Sequence, residues 1–113
     1  MAHLARADYA AADAAFGEAH AQQPELLHPL FGLGIANLGL GRVAAAVTWL
    51  EQAHDRAPDD PDVVLNLALG YDRLGRPSDA LPLYHRYLDV APRGRERALA
   101  EERIRSLRAR VKE

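Results

Sequence analysis

The sequence predicts an all-α fold, a solenoid of stacked antiparallel helix hairpins that ends in a C-terminal capping helix. Pro24, Pro58 and Pro92 lie 34 residues apart, and Gly41 and Gly75 share that spacing. Two further sets of residues follow the same period: Ala12, Ala46 and Ala80, and Phe16, Leu50 and Tyr84. Apolar residues recur at helical intervals between these markers, and no alternating strand pattern competes. A fixed period of roughly 20–50 residues indicates a repeat architecture.

Start and stop signals place the individual helices. Gly41 and Gly75 each follow an apolar periodic segment, where glycine adopts the left-handed conformation that ends a helix. Asp60 precedes Pro61 and Asp62, a combination that caps free amides and suits the first helical turn. The helices are predicted at 1–6, 9–22, 27–40, 43–56, 61–74, 78–90 and 95–111.

Small residues are predicted to close each hairpin. Gly34 and Ala68 allow the first helix of a hairpin to approach the second, where Ala46 and Ala80 receive it. Larger side chains are expected to fill the space between successive hairpins: Phe16, Leu50 and Tyr84. Each hairpin alone leaves an apolar face exposed, and the next hairpin covers it.

This pattern resembles the tetratricopeptide repeat family. Residues 61–94 match the family motif most closely, with Leu67, Ala68, Tyr71, Gly75, Ala80, Tyr84 and Pro92. Residues 27–60 match it with Leu33, Gly34, Gly41, Ala46, Leu50, Ala53 and Pro58, and depart from it at Asn37, where an aromatic residue is usual. We therefore expect one domain made of a partial first repeat at 1–26, full repeats at 27–60 and 61–94, and a capping helix at 95–113.

The C-terminal segment has the pattern of a solvating cap. A further repeat would need a large and a small residue at positions 101 and 102. Both positions hold acids, Glu101 and Glu102. An apolar stripe runs along one face of this helix and arginines along the other, with the stripe formed by Ala100, Ile104, Leu107 and Val111. One apolar and one charged side are what the end of a repeat stack requires.

Charge and composition restrict the possible functions. The net charge is −2, with −6 over residues 1–92 and +4 over residues 93–113. The basic end is interpreted as a solvated face, and binding of an acidic partner or a membrane surface through it is a minor alternative. No aromatic residue follows Tyr87 to stack on bases, so no nucleic-acid partner is expected. The 13 arginines and single lysine reflect a bacterial-like base composition.

Catalysis, cofactors and metal binding are not expected. The chain has no cysteine, no glycine-rich phosphate loop and no His-Glu-x-x-His motif. His20 and His54 are one period apart, but Leu88 takes the third equivalent position and no further ligands accompany them. No apolar run approaches the ~20 residues of a membrane span, and no secretory signal is visible, so a cytoplasmic location is the default expectation.

The resemblance implies a concave groove lined by the first helix of each hairpin. The expected partner-binding residues are Phe31, Ile35, Leu38, Leu65, Asn66, Leu69, Asp72 and Arg73. Phe31, Ile35, Leu65 and Leu69 are expected to form an exposed apolar patch, which usually indicates a contact surface. Asn66 matches the asparagine with which family members bond a peptide backbone, and Asn66 and Arg73 would fix its direction.

Two functions are compatible with this groove. The first is a non-catalytic adaptor or scaffold that binds an apolar peptide or an amphipathic helix. The alternative is a self-assembly module, in which the open N-terminal edge and the same apolar face form a homodimer or a swapped oligomer.

Overall fold

The computed structural model describes residues 2–112 and the side chains of residues 6–111. Met1 and Glu113, at the ends of the first and last predicted segments, lie outside this range. The described residues form six α-helices and no strand: α1 (Ala2–Gln22), α2 (Leu27–Gly39), α3 (Val43–Arg56), α4 (Pro61–Arg73), α5 (Pro77–Val90) and α6 (Arg97–Lys112). The predicted all-α hairpin architecture is confirmed.

The predicted break in the first repeat is wrong. Helices were expected at 1–6 and 9–22, whereas α1 runs without interruption from Ala2 to Gln22. No glycine or proline occurs before Gly17, and the segment is rich in alanine, the strongest helix former. The backbone therefore has no local reason to turn near residue 7. The other five predicted helices agree with the structure within two residues at each end.

The predicted helix signals are confirmed at the turns. Gly41 and Gly75 have φ angles of +77° and +73°, a conformation that side chains other than glycine rarely adopt. The Asp60 carboxylate accepts hydrogen bonds from the amides of Asp62 (3.0 Å) and Val63 (3.2 Å). Asp60 is thus the N-cap of α4, with Pro61 in the first turn.

The chain divides into two compact units, residues 1–57 and residues 58–113. The first unit contains α1, α2 and α3, and α2 packs against both of the other helices. A Cβ atom at Gly34 would lie 2.5 Å from Leu50. Leu50 can therefore pack directly against the backbone of α2 because residue 34 has no side chain. The buried apolar residues of this unit are Leu30, Leu33, Ala36, Leu40, Ala46, Val47, Leu50 and Ala53.

The second unit contains α4, α5 and α6. Its core is one continuous cluster to which all three helices contribute: Val64, Leu65, Ala68, Ala80, Tyr84, Tyr87, Ala100, Ile104 and Leu107. Three of the four residues of the predicted apolar stripe on α6 are buried in this unit, and the fourth, Val111, is 42% exposed. The last helix thus packs through a stripe and exposes its charged face, as the pattern predicts.

Candidate functional site

The first unit carries an apolar concavity between α1 and α2, with a volume of about 230 Å³. We call it the α1–α2 groove. Its lining residues are Tyr9, Ala12 and Phe16 from α1, and His28, Phe31, Gly32, Ile35 and Ala36 from α2. The surface that these residues expose in the groove is wholly apolar.

Close packing at one glycine positions the floor of the α1–α2 groove. A Cβ atom at Gly32 would lie 2.6 Å from the Phe16 ring, so only glycine admits that ring so near to α2. The Phe16 and His28 rings also meet in an edge-to-face arrangement, with 5.4 Å between ring centroids. Phe16 therefore lies flat on α2 within its own unit and leaves a shallow apolar surface beside it.

Polar contacts hold α1 in place beside the groove. The Asn37 side chain, 3% exposed, donates to the Asp13 carboxylate (2.8 Å) and to the Leu33 carbonyl (2.8 Å). Arg6 donates to the Leu40 carbonyl at the end of α2 (3.0 Å). Asn37, which departs from the family pattern, thus joins α2 to α1 beside the groove.

The second unit carries a larger concavity of about 760 Å³ between α4 and the segment that leads into α6. We call it the α4–α6 pocket. Its apolar walls are Leu65, Leu69, Tyr87, Ala91 and Leu99, and its polar groups include Asp62, Asn66, Arg95 and Glu96. A pocket with an apolar floor and a few polar groups at its edge is suited to hold a side chain and part of a peptide backbone.

Tyr87 shapes this pocket. Its hydroxyl accepts a hydrogen bond from the Glu96 amide (3.1 Å), and its ring is buried in the core. The equivalent positions in the earlier repeats hold Ala19 and Ala53. The larger Tyr87 side chain reaches the loop that precedes α6. This helix begins at Arg97.

The predicted groove residues are distributed over both units. Phe31 and Ile35 are half-buried and line the α1–α2 groove, whereas Leu65, Asn66 and Leu69 line the α4–α6 pocket. Leu38 is half-buried on α2 and lines neither concavity.

The structure corrects the expectation that Leu65 is exposed. Leu65 is only 6% exposed and belongs to the core of its unit, because it faces α5 and α6 as well as the pocket. Asn66 is half-buried and donates from its Nδ2 to the Asp62 carbonyl one turn earlier (2.8 Å). Its amide oxygen and second N–H remain for a ligand, since an amide offers two donors and an acceptor.

Asp72 serves the fold of the second unit, which the sequence analysis did not foresee. Its carboxylate accepts from Tyr84 Oη (2.8 Å), Arg103 Nε (2.7 Å) and Arg103 Nη2 (2.9 Å). Desolvation opposes ionisation of Asp72, but the hydrogen bonds from Arg103 and Tyr84 outweigh it and lower its pKa. Asp72 is therefore engaged within the chain, while Arg73 beside it is exposed.

Several residues that line the two concavities were not predicted from the sequence. Phe16 was expected to fill the space between hairpins and Tyr9 was given no role, yet both line the α1–α2 groove. Leu99 is 36% exposed at the α4–α6 pocket, on the arginine-rich helix α6. An apolar residue on the polar face of α6 was the available signal.

Among the residues that the structure describes, no group of three or more histidine, cysteine, aspartate or glutamate side chains is arranged to hold a metal ion. The His20 ring instead meets the edge of Trp49, with 5.2 Å between centroids. Within the same residues, every helix is too short or too polar to cross a membrane.

Comparison with known proteins agrees with the repeat architecture. The family model described as tetratricopeptide repeat matches residues 3–63 and again residues 38–111. A search of curated proteins found no match. The two matched ranges together span most of the sequence, so the chain belongs to the tetratricopeptide repeat family.

Proposed function

We propose that this chain is a non-catalytic adaptor that binds an apolar peptide segment. Tetratricopeptide repeats are generally protein–protein interaction modules. The observation that carries the proposal is the α4–α6 pocket, whose volume of about 760 Å³ is within the range of ligand sites. Leu69 and Leu99 would contact an apolar side chain of the partner.

Asn66 would bond the peptide backbone at the edge of the pocket. Its free donor and acceptor can pair with the C=O and N–H of one peptide unit. Arg73 is exposed near the end of α4 and would pair with an acidic residue of the partner. We leave Asp72 out of the proposed site, because its carboxylate accepts hydrogen bonds from Arg103 and Tyr84.

Peptide selection followed by substitution tests this function. Peptides selected from a random library against the full chain are expected to be rich in apolar residues. Leu99→Asp should weaken their binding by about tenfold or more, because burying a leucine contributes about 1.5–3 kcal/mol. Leu74→Asp is the matched control, since Leu74 is 37% exposed in the same unit but does not line the pocket. Equal losses for both variants would contradict the proposal.

A second candidate function is self-assembly, favoured by the apolar α1–α2 groove. Phe31 and Ile35 expose part of their side chains there, and a second copy could cover them. Sedimentation across a range of protein concentrations tests this candidate. A dimer that Phe31→Asp dissociates supports it, and a monomer at all concentrations contradicts it.

A further inference from the structure

Tyr87 brings a buried polar group to the wall of the α4–α6 pocket. The residue lines the pocket but is only 3% exposed. Its hydroxyl oxygen accepts a hydrogen bond from the Glu96 amide (3.1 Å). Among the residues that the structure describes, none accepts a hydrogen bond from the hydroxyl itself. Because a buried donor without an acceptor is costly, the free O–H favours a ligand that supplies an acceptor.

Arg95 adds a positive charge at the same pocket. It is exposed, lies in the loop before α6 and lines the pocket. Within the described part of the chain, no ion pair or side-chain hydrogen bond engages its guanidinium. By contrast, Arg86 pairs with Asp59 and Arg103 pairs with Asp72. The Arg95 guanidinium is therefore available to an anion, and arginine can bind a carboxylate through two parallel N–H groups.

The backbone at the start of α6 reinforces these two side chains. The helix begins at Arg97, and Glu96 and Leu99 on either side of that position line the pocket. The first turn of a helix leaves amide groups without intrahelical partners and carries the positive end of the helix dipole. A negatively charged group in the pocket would lie close to this turn, where it is stabilised.

Two carboxylates line the same pocket and limit the charge that it accepts. Asp62 is exposed, so water weakens its repulsion of an anion, whereas Glu96 is half-buried. Both would repel a doubly charged phosphate more strongly than a singly charged carboxylate. The donors and the acids together therefore favour a carboxylate next to an apolar group.

We propose that the α4–α6 pocket selects a segment in which an aspartate or glutamate side chain accompanies the apolar residue. The Tyr87 hydroxyl and the Arg95 guanidinium donate hydrogen bonds to its carboxylate, while Leu69 and Leu99 contact the apolar side chain. This inference deepens the proposed function and rests on it, since it names the chemistry of the bound segment. The two donors belong to α5 and to the loop after it, not to the first helix of a hairpin.

Peptides blocked at both ends test the inference, since acidic side chains are then their only source of carboxylates. The probe is the tightest binder selected against the full chain from a random library of such peptides. Its neutral partner carries Gln or Asn in place of each Glu or Asp. Fluorescence anisotropy should show the acidic peptide binding about tenfold more tightly, because hydrogen bonds to a charged group are the stronger ones. A selected peptide without an acidic residue would contradict the inference.

Substitutions in the full chain assign the carboxylate to its donors. Arg95→Gln should weaken the acidic peptide about tenfold more than the neutral one. Arg93→Gln is the matched control, because Arg93 is an exposed arginine of the same loop that does not line the pocket. Tyr87→Phe should also reduce the preference for the acidic peptide, since it removes the free O–H and keeps the ring. Glu96→Gln should increase that preference, because one repelling charge is lost.

Three results would overturn the inference. They are equal binding of the acidic and neutral peptides, an equal response to Arg95→Gln and Arg93→Gln, or a neutral peptide that gains as much from a free C-terminal carboxylate as from acidic side chains. The last result would assign the donors to a chain terminus. If the neutral peptide still binds and Leu99→Asp still weakens it, the proposed function stands and only this inference falls. If no selected peptide responds to Leu99→Asp, the proposed function falls and this inference falls with it.

Discussion

Asp72 and Arg103 form a bidentate ion pair that joins α4 to α6. Arg103 Nε lies 2.7 Å from Oδ2 of Asp72, and Arg103 Nη2 lies 2.9 Å from Oδ1. The side chains are 12% exposed at Asp72 and 26% exposed at Arg103. Because the Tyr84 hydroxyl donates to the same carboxylate, the three helices of the second unit meet at one charged group.

Arg103→Ala should destabilise the protein by about 1–3 kcal/mol, because it removes two of the three hydrogen bonds that the largely buried Asp72 carboxylate accepts, together with the opposite charge. Urea unfolding followed by circular dichroism measures this change. Arg105→Ala, at an exposed position on the same helix, is the control and should change stability by less than about 0.5 kcal/mol. Equal effects for the two variants would show that the pair contributes nothing specific.

The contribution of this pair should disappear in acid. The folded-state pKa of Asp72 lies below that of an aspartate in the unfolded chain, so the stabilisation by Asp72 is fully present above the unfolded-state pKa and is lost as the pH falls through the folded-state pKa. The stability difference between the wild type and Asp72→Asn, measured in urea from neutral pH downwards, should therefore shrink below about pH 4. A difference that stays constant or grows in acid would contradict the lowered pKa.

Gly34→Ala should destabilise the first unit by about 1–3 kcal/mol, because the new methyl group would lie 2.5 Å from Leu50 in a packed core. Gly17→Ala is the matched control. Its added Cβ would come no nearer than 4.0 Å to Leu33, so the gain in helix propensity should stabilise the protein by up to about 1 kcal/mol. Thermal unfolding should show a lower melting temperature for Gly34→Ala and a higher one for Gly17→Ala. A stabilised Gly34→Ala variant would contradict the packing described at Leu50.

The helix pattern was predictable because its causes are local. Asp60 caps the helix that its sequence context indicates, and Gly41 and Gly75 have the positive φ angles that their positions predict. The continuity of α1 was missed because the repeat pattern was given more weight than the unbroken run of helix formers before Gly17.

The candidate site was less predictable, because exposure depends on which helix covers which. Leu65 and Leu69 are four residues apart on α4, and both were expected to be exposed. Leu65 is buried in the core while Leu69 is half-buried. Asp72 lay on the same predicted face, but its partner Arg103 is 31 residues away and outside the repeat pattern. No local signal in the sequence links these two residues.

The most direct test of the central claim is the map of amide resonances that move when a selected apolar peptide is added to the isotope-labelled chain. We predict that the shifts cluster around the α4–α6 pocket, at Asn66, Leu69 and Leu99, and that Leu99→Asp suppresses them. Shifts confined to the exposed arginine face of α6, or unchanged by Leu99→Asp, would contradict the account.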